Sequence, residues 1–150
     1  MKYIITIFLL FFVMLTGCSK MHIEDTNGLE DYSLQEITEE DILTSTRVLY
    51  QMSIENSKTE NGVQIVSKSA KVFTGVDCLE KLTVKSPFTI TITTLVEAGN
   101  FRVVIIKDGK IIDDGLINGT FTKTYTESGK YQLKIVGESA KFKINYSIEK

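Results

Sequence analysis

The stretch FTITITTLV, residues 88–96, alternates apolar and polar side chains with a period of two. Its apolar members are Phe88, Ile90 and Ile92, and threonines stand between them. Successive side chains of a β-strand point to opposite faces, so one face of this strand is expected to be buried and the other solvated. The pattern predicts a strand of an antiparallel sheet that rests on a hydrophobic core.

The same alternation recurs towards the end of the chain. It is found in YQLKI, residues 131–135, and in FKINYSI, residues 142–148. A third segment, FRVVII at 101–106, is apolar on both faces beyond Arg102, which predicts a strand in the centre of its sheet. No amphipathic helix of ordinary length follows residue 46. The fold class predicted for residues 46–150 is therefore all-β.

Turn residues separate the predicted strands. Asp108-Gly109 and Asn118-Gly119 are pairs typical of two-residue hairpin turns. Pro87 lacks the amide hydrogen that a central strand needs, so a corner between sheets is expected there. Eight or nine short strands at this spacing predict an antiparallel β-sandwich rather than a barrel.

The segment YTESGKYQL resembles the Gly-x-Tyr corner of immunoglobulin-like and jelly-roll sandwiches. This resemblance implies a structural role for Tyr131, whose hydroxyl would bond back to the corner backbone. The stretches VFTGV, GNFRVVII and GKYQLKIVG are similar to parts of small uncharacterised β-sandwich lipoproteins, a similarity that carries no assigned activity.

Residues 18–45 form an acidic segment before the predicted sandwich. Between His22 and Ser45 there are Asp and Glu residues but no Lys or Arg, a composition typical of a solvated spacer. Its second half predicts a short helix on the edge of the domain. Ser33 and Glu36 have capping-box spacing. The apolar positions of this helix are Leu34, Ile37, Ile42 and Leu43.

Residues 1–17 have the character of a signal peptide. Lys2 precedes the apolar run YIITIFLLFFVML, which is shorter than the roughly 20 residues that a membrane-spanning helix needs. The run ends in Leu15-Thr16-Gly17-Cys18, which resembles the lipobox of bacterial lipoproteins. The resemblance implies cleavage between Gly17 and Cys18 and attachment of lipid to the Cys18 sulfur, with acyl chains that make the anchor lasting.

A lipid-anchored position on the outer side of a bacterial membrane follows from this resemblance. The membrane is then one partner, an envelope protein or an anionic polymer is a candidate second partner, and nucleic acid is excluded by location. Cys78 remains as the one cysteine after Cys18, so the mature chain has no internal disulfide. In a strand-like segment, Cys78 is interpreted as a small buried hydrophobe.

Catalytic and metal-binding motifs are missing from the sequence. His22 is the one histidine, and neither HExxH nor CxxC occurs, so we expect no cofactor, no metal and no enzymatic activity. A small hydrolase that uses carboxylates is the alternative. Asp108, Asp113 and Asp114 could bind calcium in loops, but their spacing lacks the EF-hand pattern and the interpretation as solvated turns is favoured.

Three lysines near the C-terminus are candidate contacts to an anionic polymer. Lys134, Lys141 and Lys143 alternate with apolar residues, so they are expected to face solvent together. Lysine on an exposed sheet edge also prevents edge-to-edge association, which is the other interpretation. The sequence thus predicts a lipid-anchored, non-enzymatic binding or accessory module of unknown ligand.

Overall fold

The computed structural model describes residues 36–116 and 118–150. The predicted signal peptide, with Gly17 and Cys18, and the start of the acidic spacer lie outside the described residues. In the described part the chain forms a short helix followed by seven strands. These are α1 (Glu39–Thr44), β1 (Val48–Gln51), β2 (Ile54–Glu60), β3 (Val63–Val84), β4 (Phe88–Lys107), β5 (Lys110–Leu116), β6 (Gly119–Tyr125) and β7 (Gly129–Glu149).

All described strand pairs are antiparallel, which confirms the predicted fold class. The main path of the sheet runs β1-β3-β7-β4-β5, with β2 added to β3 and β6 added to β4. Strands β3, β4 and β7 have 22, 20 and 21 residues, whereas a typical strand has about five or six. Each of them takes part in both layers of the sandwich.

The two layers follow from the strand register. Layer I has the order β2-β3-β7-β4-β6 and uses the first halves of β3 and β4 with the second half of β7. Layer II has the order β1-β3-β7-β4-β5 and uses the other halves of the same strands. The Tyr146 hydroxyl in layer I donates to the Leu79 carbonyl in layer II at 3.2 Å, which joins the layers across the core.

Bulges allow the long strands to bend from one layer to the other. Register shifts interrupt β3 between Ala70 and Gly75, and they interrupt β4 between Val96 and Asn100. Extra residues of this kind bend a strand and increase its twist. Gly99 has φ +74° at the bend of β4, and a Cβ there would lie 2.3 Å from the Ser139 carbonyl oxygen. Only glycine fits this close approach of two backbones.

The predicted number of strands is therefore wrong in one respect. Seven strands are found in the described residues, instead of eight or nine, because three strands pass through a bend without ending. The predicted Asn118-Gly119 hairpin is also wrong. Strands β5 and β6 do not pair with each other in the described residues; they lie end to end, both antiparallel to β4.

Other local predictions are confirmed. Asp108 and Gly109 have φ values of 48° and 78° and join β4 to β5, as a type I′ hairpin requires. The segment around Pro87 carries the chain from layer II, where Val84 pairs with Gly129, to layer I, where β4 begins. The Tyr131 hydroxyl donates to the Glu127 carbonyl at 2.9 Å and so secures the corner before β7.

The core between the layers is rich in aromatic rings. Phe101 and Phe142 are stacked with centroids 4.5 Å apart, and Phe73 meets Phe142 edge-on at 5.5 Å. The apolar set of β4 predicted from its alternation is buried here, with Phe88, Ile90 and Ile92 at most 2 % exposed. The strand FRVVII is buried on both faces, as predicted.

A second apolar cluster lies on the outer face of layer II, where helix α1 covers the sheet. The buried members are Ile42, Val76, Val104, Ile106 and Val136. The helix predicted in the spacer is thus present, but it begins at Glu39, with Thr38 as N-cap and Asp41 completing a capping box. It packs on a sheet face rather than on an edge, so the packed domain begins before residue 46. The described residues include no helix long and apolar enough to cross a membrane.

Candidate functional site

Lys134 does not face solvent, so its predicted role as a polymer contact is wrong. Its side chain is 2 % exposed and lies under helix α1. The ammonium donates to the carbonyl oxygens of Ile42 at 2.7 Å, Ser45 at 3.1 Å and Leu43 at 3.4 Å. These carbonyls stand at the helix C-terminus, where the helix itself supplies no donors and where a cation is favoured.

The environment of Lys134 explains why a charge is tolerated under the helix. Burial disfavours the charged ammonium and so lowers the pKa of Lys134 from its ordinary value. The carbonyl oxygens that accept from it offset this cost. The last turn of α1 contains no basic residue, so the sheet supplies the cation that this end of the helix lacks. Among the described residues, carbonyl oxygens rather than a carboxylate accept from this ammonium. Lys134 is therefore a structural residue that attaches α1 to layer II.

Lys141 and Lys143 are exposed on β7, on the other layer from Lys134. The Lys141 ammonium lies 2.5 Å from a Glu97 carboxylate oxygen, and that of Lys143 lies 3.9 Å from the other oxygen. Both lysines lower the pKa of Glu97, chiefly through the Lys141 hydrogen bond. The three lysines are thus not brought together, and a contact of Lys141 and Lys143 with a polymer stays a prediction.

Asp108, Asp113 and Asp114 lie apart, each with its own partner. Asp108 accepts from the Lys130 amide at 2.9 Å, and Asp114 accepts from Arg102 at 2.8 Å. Asp113 accepts from the Lys123 ammonium and from the Tyr125 hydroxyl, both at 2.7 Å. Within the described residues, no group of three or more His, Cys, Asp or Glu side chains is arranged to hold a metal ion.

A hydrogen-bonded cluster of one tyrosine, one carboxylate and one lysine lies at each side of the sandwich. On one side, Asp77 accepts from the Tyr50 hydroxyl at 2.6 Å and from the Lys68 ammonium at 2.8 Å. On the other side, Asp113 has the same pair of donors in Tyr125 and Lys123. Burial, and then the neighbouring carboxylate, raises the pKa of both tyrosines, so their hydroxyls remain donors at neutral pH. These clusters join strands of different layers and are structural.

Cys78 lies beside Lys134 in the register of β3 and β7. It is partly buried, and its thiol approaches the Glu80 carbonyl at 3.5 Å. Burial raises its pKa, so it is a protonated thiol at neutral pH and a weak nucleophile. Cys78 was predicted to be a small buried hydrophobe, whereas it is only partly buried and lies outside both core clusters.

The outer face of layer I carries a regular array of threonines, which we call the threonine face. Strands β4 and β6 place three pairs of threonine hydroxyls side by side. The separations are 2.8 Å for Thr89–Thr124, 3.3 Å for Thr91–Thr122 and 3.1 Å for Thr93–Thr120. One bond within a pair leaves it one O–H donor and several lone pairs for other partners.

Small polar residues continue this array across the sheet. One register row contains, from β2 to β6, Asn56, Ser67, Asn145, Thr93 and Thr120. We call it the polar row. The next row contains Lys58, Ile65, Ser147, Thr91 and Thr122. Uncharged hydrogen-bonding side chains thus cross all five strands of layer I in the polar row, whereas the next row has Lys58 and Ile65 on its first two strands.

Charged residues stand at the perimeter of this surface. Lys58 ends the second row on β2, Lys143 lies one row beyond the polar row, and Glu149 lies beside Thr89. Surfaces of soluble domains usually contain about a quarter to a third charged residues, and charged residues make up 24 % of this chain. The polar row, in contrast, contains no charged side chain.

The sequence contained a signal for this surface that our prediction did not use. Threonines recur with period two in TITITT, residues 89–94, and in TFTKT, residues 120–124. Alternation assigns the threonines of β4 to the solvated face of their strand. That the two runs lie side by side, and that Ser67 and Asn145 extend them, depends on a register that one strand does not reveal.

Comparison with known proteins finds similarity in structure alone. No protein-family model matches the chain, and no curated protein matches it in sequence. The chain is similar to a periplasmic inhibitor of g-type lysozyme, PliG of Aeromonas hydrophila, with a TM-score of 0.40 and 16 % identity over 65 % of this chain and 86 % of that one.

Two further solved structures are similar to the chain to a comparable degree. The C-terminal CBM6 of the laminarinase LamC from Zobellia galactanivorans gives a TM-score of 0.36 and 13 % identity over 69 % of this chain and 100 % of that one. A cupin superfamily protein from Desulfitobacterium hafniense gives 0.38 and 13 % over 79 % and 96 %. The similarity to all three structures is distant, and the antiparallel fold of this chain rests on its own strand pairing.

Proposed function

We propose that the protein is a lipid-anchored module of the bacterial cell envelope that binds an envelope component through the threonine face and catalyses no reaction. The observation that carries this proposal is the uncharged polar surface over five strands of layer I. The opposite outer face, on layer II, is covered by α1. One broad sheet face is therefore left for a partner.

The distribution of carboxylates supports a binding role over hydrolysis. A glycosidase needs two carboxyl groups that flank one bond of the substrate. Here Asp77 and Glu55 both pair with the Lys68 ammonium, at 2.8 and 3.2 Å, and Asp113 pairs with Lys123. The carboxylates of Asp77 and Asp113, which accept from lysine and tyrosine in this way, serve to join the two layers.

The anchor is tested at Cys18. We expect the Cys18→Ala variant to lose lipid attachment, because only a cysteine thiol forms the thioether that the lipobox resemblance implies. Mass spectrometry of the mature N-terminal peptide is expected to find a diacylglyceryl cysteine in the natural protein and none in the variant. An unmodified N-terminus at another residue would contradict the anchor and leave the binding face to be judged separately.

Binding is tested by placing charges on the threonine face. The double variant Thr91→Lys, Thr120→Glu puts two charges in the uncharged centre, so we expect retention on washed envelope fractions to fall at least about tenfold. Both positions are on the outer face, so stability should change by no more than about 0.5–1 kcal/mol. The measurement is cosedimentation of the purified full-length protein, in detergent, with delipidated envelopes.

The matched control uses threonines outside this face. Thr59 lies on the opposite side of β2 and Thr83 is exposed on β3 in layer II, so Thr59→Lys, Thr83→Glu introduces the same charges elsewhere. The control should bind like the natural protein. Equal retention of both double variants would remove the threonine face from the function.

A further inference from the structure

We propose that the ligand of the threonine face is an extended, uncharged glycan chain that lies along the polar row, across the strands. This inference rests on the proposed function, because it names the ligand of the same face. It is carried by three properties of the surface: its linear geometry, its hydrogen-bonding chemistry and its lack of charge.

The polar row crosses five strands with one side chain from each. Its five side chains come from five neighbouring strands, which stand about 4.7–4.9 Å apart in a β-sheet. The row therefore extends over about 19 Å. The spacing between neighbouring strands is comparable to the length of one pyranose residue in an extended chain, so successive sugars would meet successive strands.

The side chains of the row suit sugar hydroxyls. Threonine and serine hydroxyls donate and accept, and asparagine offers two donors and a carbonyl acceptor. A sugar hydroxyl also does both, so each can be matched by rotation of a side-chain hydroxyl. The absence of a net charge in the centre removes the attraction that an anionic polymer would require.

The same chemistry predicts that each sugar contributes little binding free energy, so that a long glycan chain is needed. The aromatic rings of β6, Phe121 and Tyr125, lie on the inner side of layer I, so they provide no stacking surface to the ligand. A hydrogen bond that replaces water contributes only about 0.5–1.5 kcal/mol. Useful affinity therefore requires many repeats held at once, as in a polymer.

A protein partner fits this surface less well. Protein interfaces usually have an apolar or aromatic centre and a polar rim, whereas here the centre is polar. The exposed apolar residues of layer I, Ile54 and Leu95, lie one row away from the polar row and are separated by Ser69 and Lys143. An extended glycan is accordingly the occupant that the side chains favour.

The test uses the full-length protein in detergent with insoluble chitin and cellulose as uncharged glycans and immobilised polygalacturonate as an anionic one. We expect binding to at least one uncharged glycan, unchanged between about 0.1 M and about 1 M salt, where the Debye length falls from about 10 Å to about 3 Å. Soluble fragments should compete better as they lengthen. Binding to neither uncharged glycan, or binding to polygalacturonate alone that is lost in high salt, would overturn the proposal.

Two sets of substitutions test whether the hydroxyls make the contact. The double variant Thr93→Val, Thr120→Val keeps the shape of both threonine side chains of the polar row but removes their hydroxyls, so binding should fall at least about tenfold. The same positions changed to Ser keep the hydroxyl and should bind within about twofold of the natural protein. Thr59→Val, Thr83→Val is the matched control. Undiminished binding by the Val variant would overturn the proposal.

Failure of this inference is distinguishable from failure of the proposed function. If retention on envelopes depends on the threonine face but is lost after protease treatment of the envelopes and kept after glycan digestion, the ligand is a protein. That result overturns the glycan while the proposed function stands. If the charged variant is retained like its control, the proposed function itself fails.

Discussion

Replacement of Lys134 by methionine is expected to lower the free energy of unfolding by about 2–4 kcal/mol and to release helix α1 from layer II. Methionine fills a similar volume but donates no hydrogen bond. The carbonyls of Ile42, Leu43 and Ser45 would then be left without the donor that now satisfies them. A buried polar group that loses its partner costs more than the bond itself contributed.

The measurement combines denaturant unfolding with hydrogen exchange of the amides of α1. In the variant, amides of residues 42–45 should lose protection before those of the sheet. Lys143→Met is the matched control, because Lys143 is exposed on the same strand; its effect should be within about 0.5 kcal/mol. If Lys134→Met were as mild as the control, the buried position of the ammonium would be refuted.

This residue also marks the limit of what the strand pattern could predict. Period two correctly assigned Tyr131, Leu133 and Ile135 to the core. It assigned Lys134 to the opposite face, which is also correct, but it could not indicate that α1 covers this face. A strand pattern contains no information on an element far away in the sequence, so the role of Lys134 required the tertiary structure.

The same reasoning applies to the number of strands. The apolar pattern predicted the segments of β4 on both sides of Gly99, by alternation in residues 88–96 and by apolar residues on both faces in residues 101–106. We counted the two segments as separate strands. In the structure Gly99 and Asn100, whose residue types are typical of turns, stand in a bulge where one strand bends between layers. Local composition identifies the irregularity, but pairing with β7 decides between a turn and a bend.

The threonine face was partly predictable in the same sense. Alternation places Thr89, Thr91 and Thr93 on the outer side of their strand, and this holds in the structure. The lateral order of five strands, which makes a surface out of separate residues, arises from long-range pairing. The ion pairs were not predictable from alternation. Lys141 was expected to be available to a polymer, but its ammonium is paired with the Glu97 carboxylate.

Replacement of Phe73 by alanine is expected to have the largest effect on stability, about 3–5 kcal/mol. Phe73 is 0 % exposed and lies at the bulge where β3 bends between the layers. Its ring stacks on Tyr50 and meets Phe101 and Phe142 edge-on. Gly137 faces the ring so closely that a Cβ at this glycine would lie 2.6 Å from it.

The size of this loss follows from the cavity as well as from the missing ring. The three strands that enclose Phe73 are continuous through both layers, so neither layer can shift alone to fill the space. Phe121→Ala is the matched control, because Phe121 is only partly buried at the edge strand β6 and its surroundings can relax. Phe73→Leu should be intermediate, since it refills part of the cavity. Denaturant unfolding of the three variants distinguishes these outcomes, and equal losses for Phe73→Ala and Phe121→Ala would contradict a core organised around the bend.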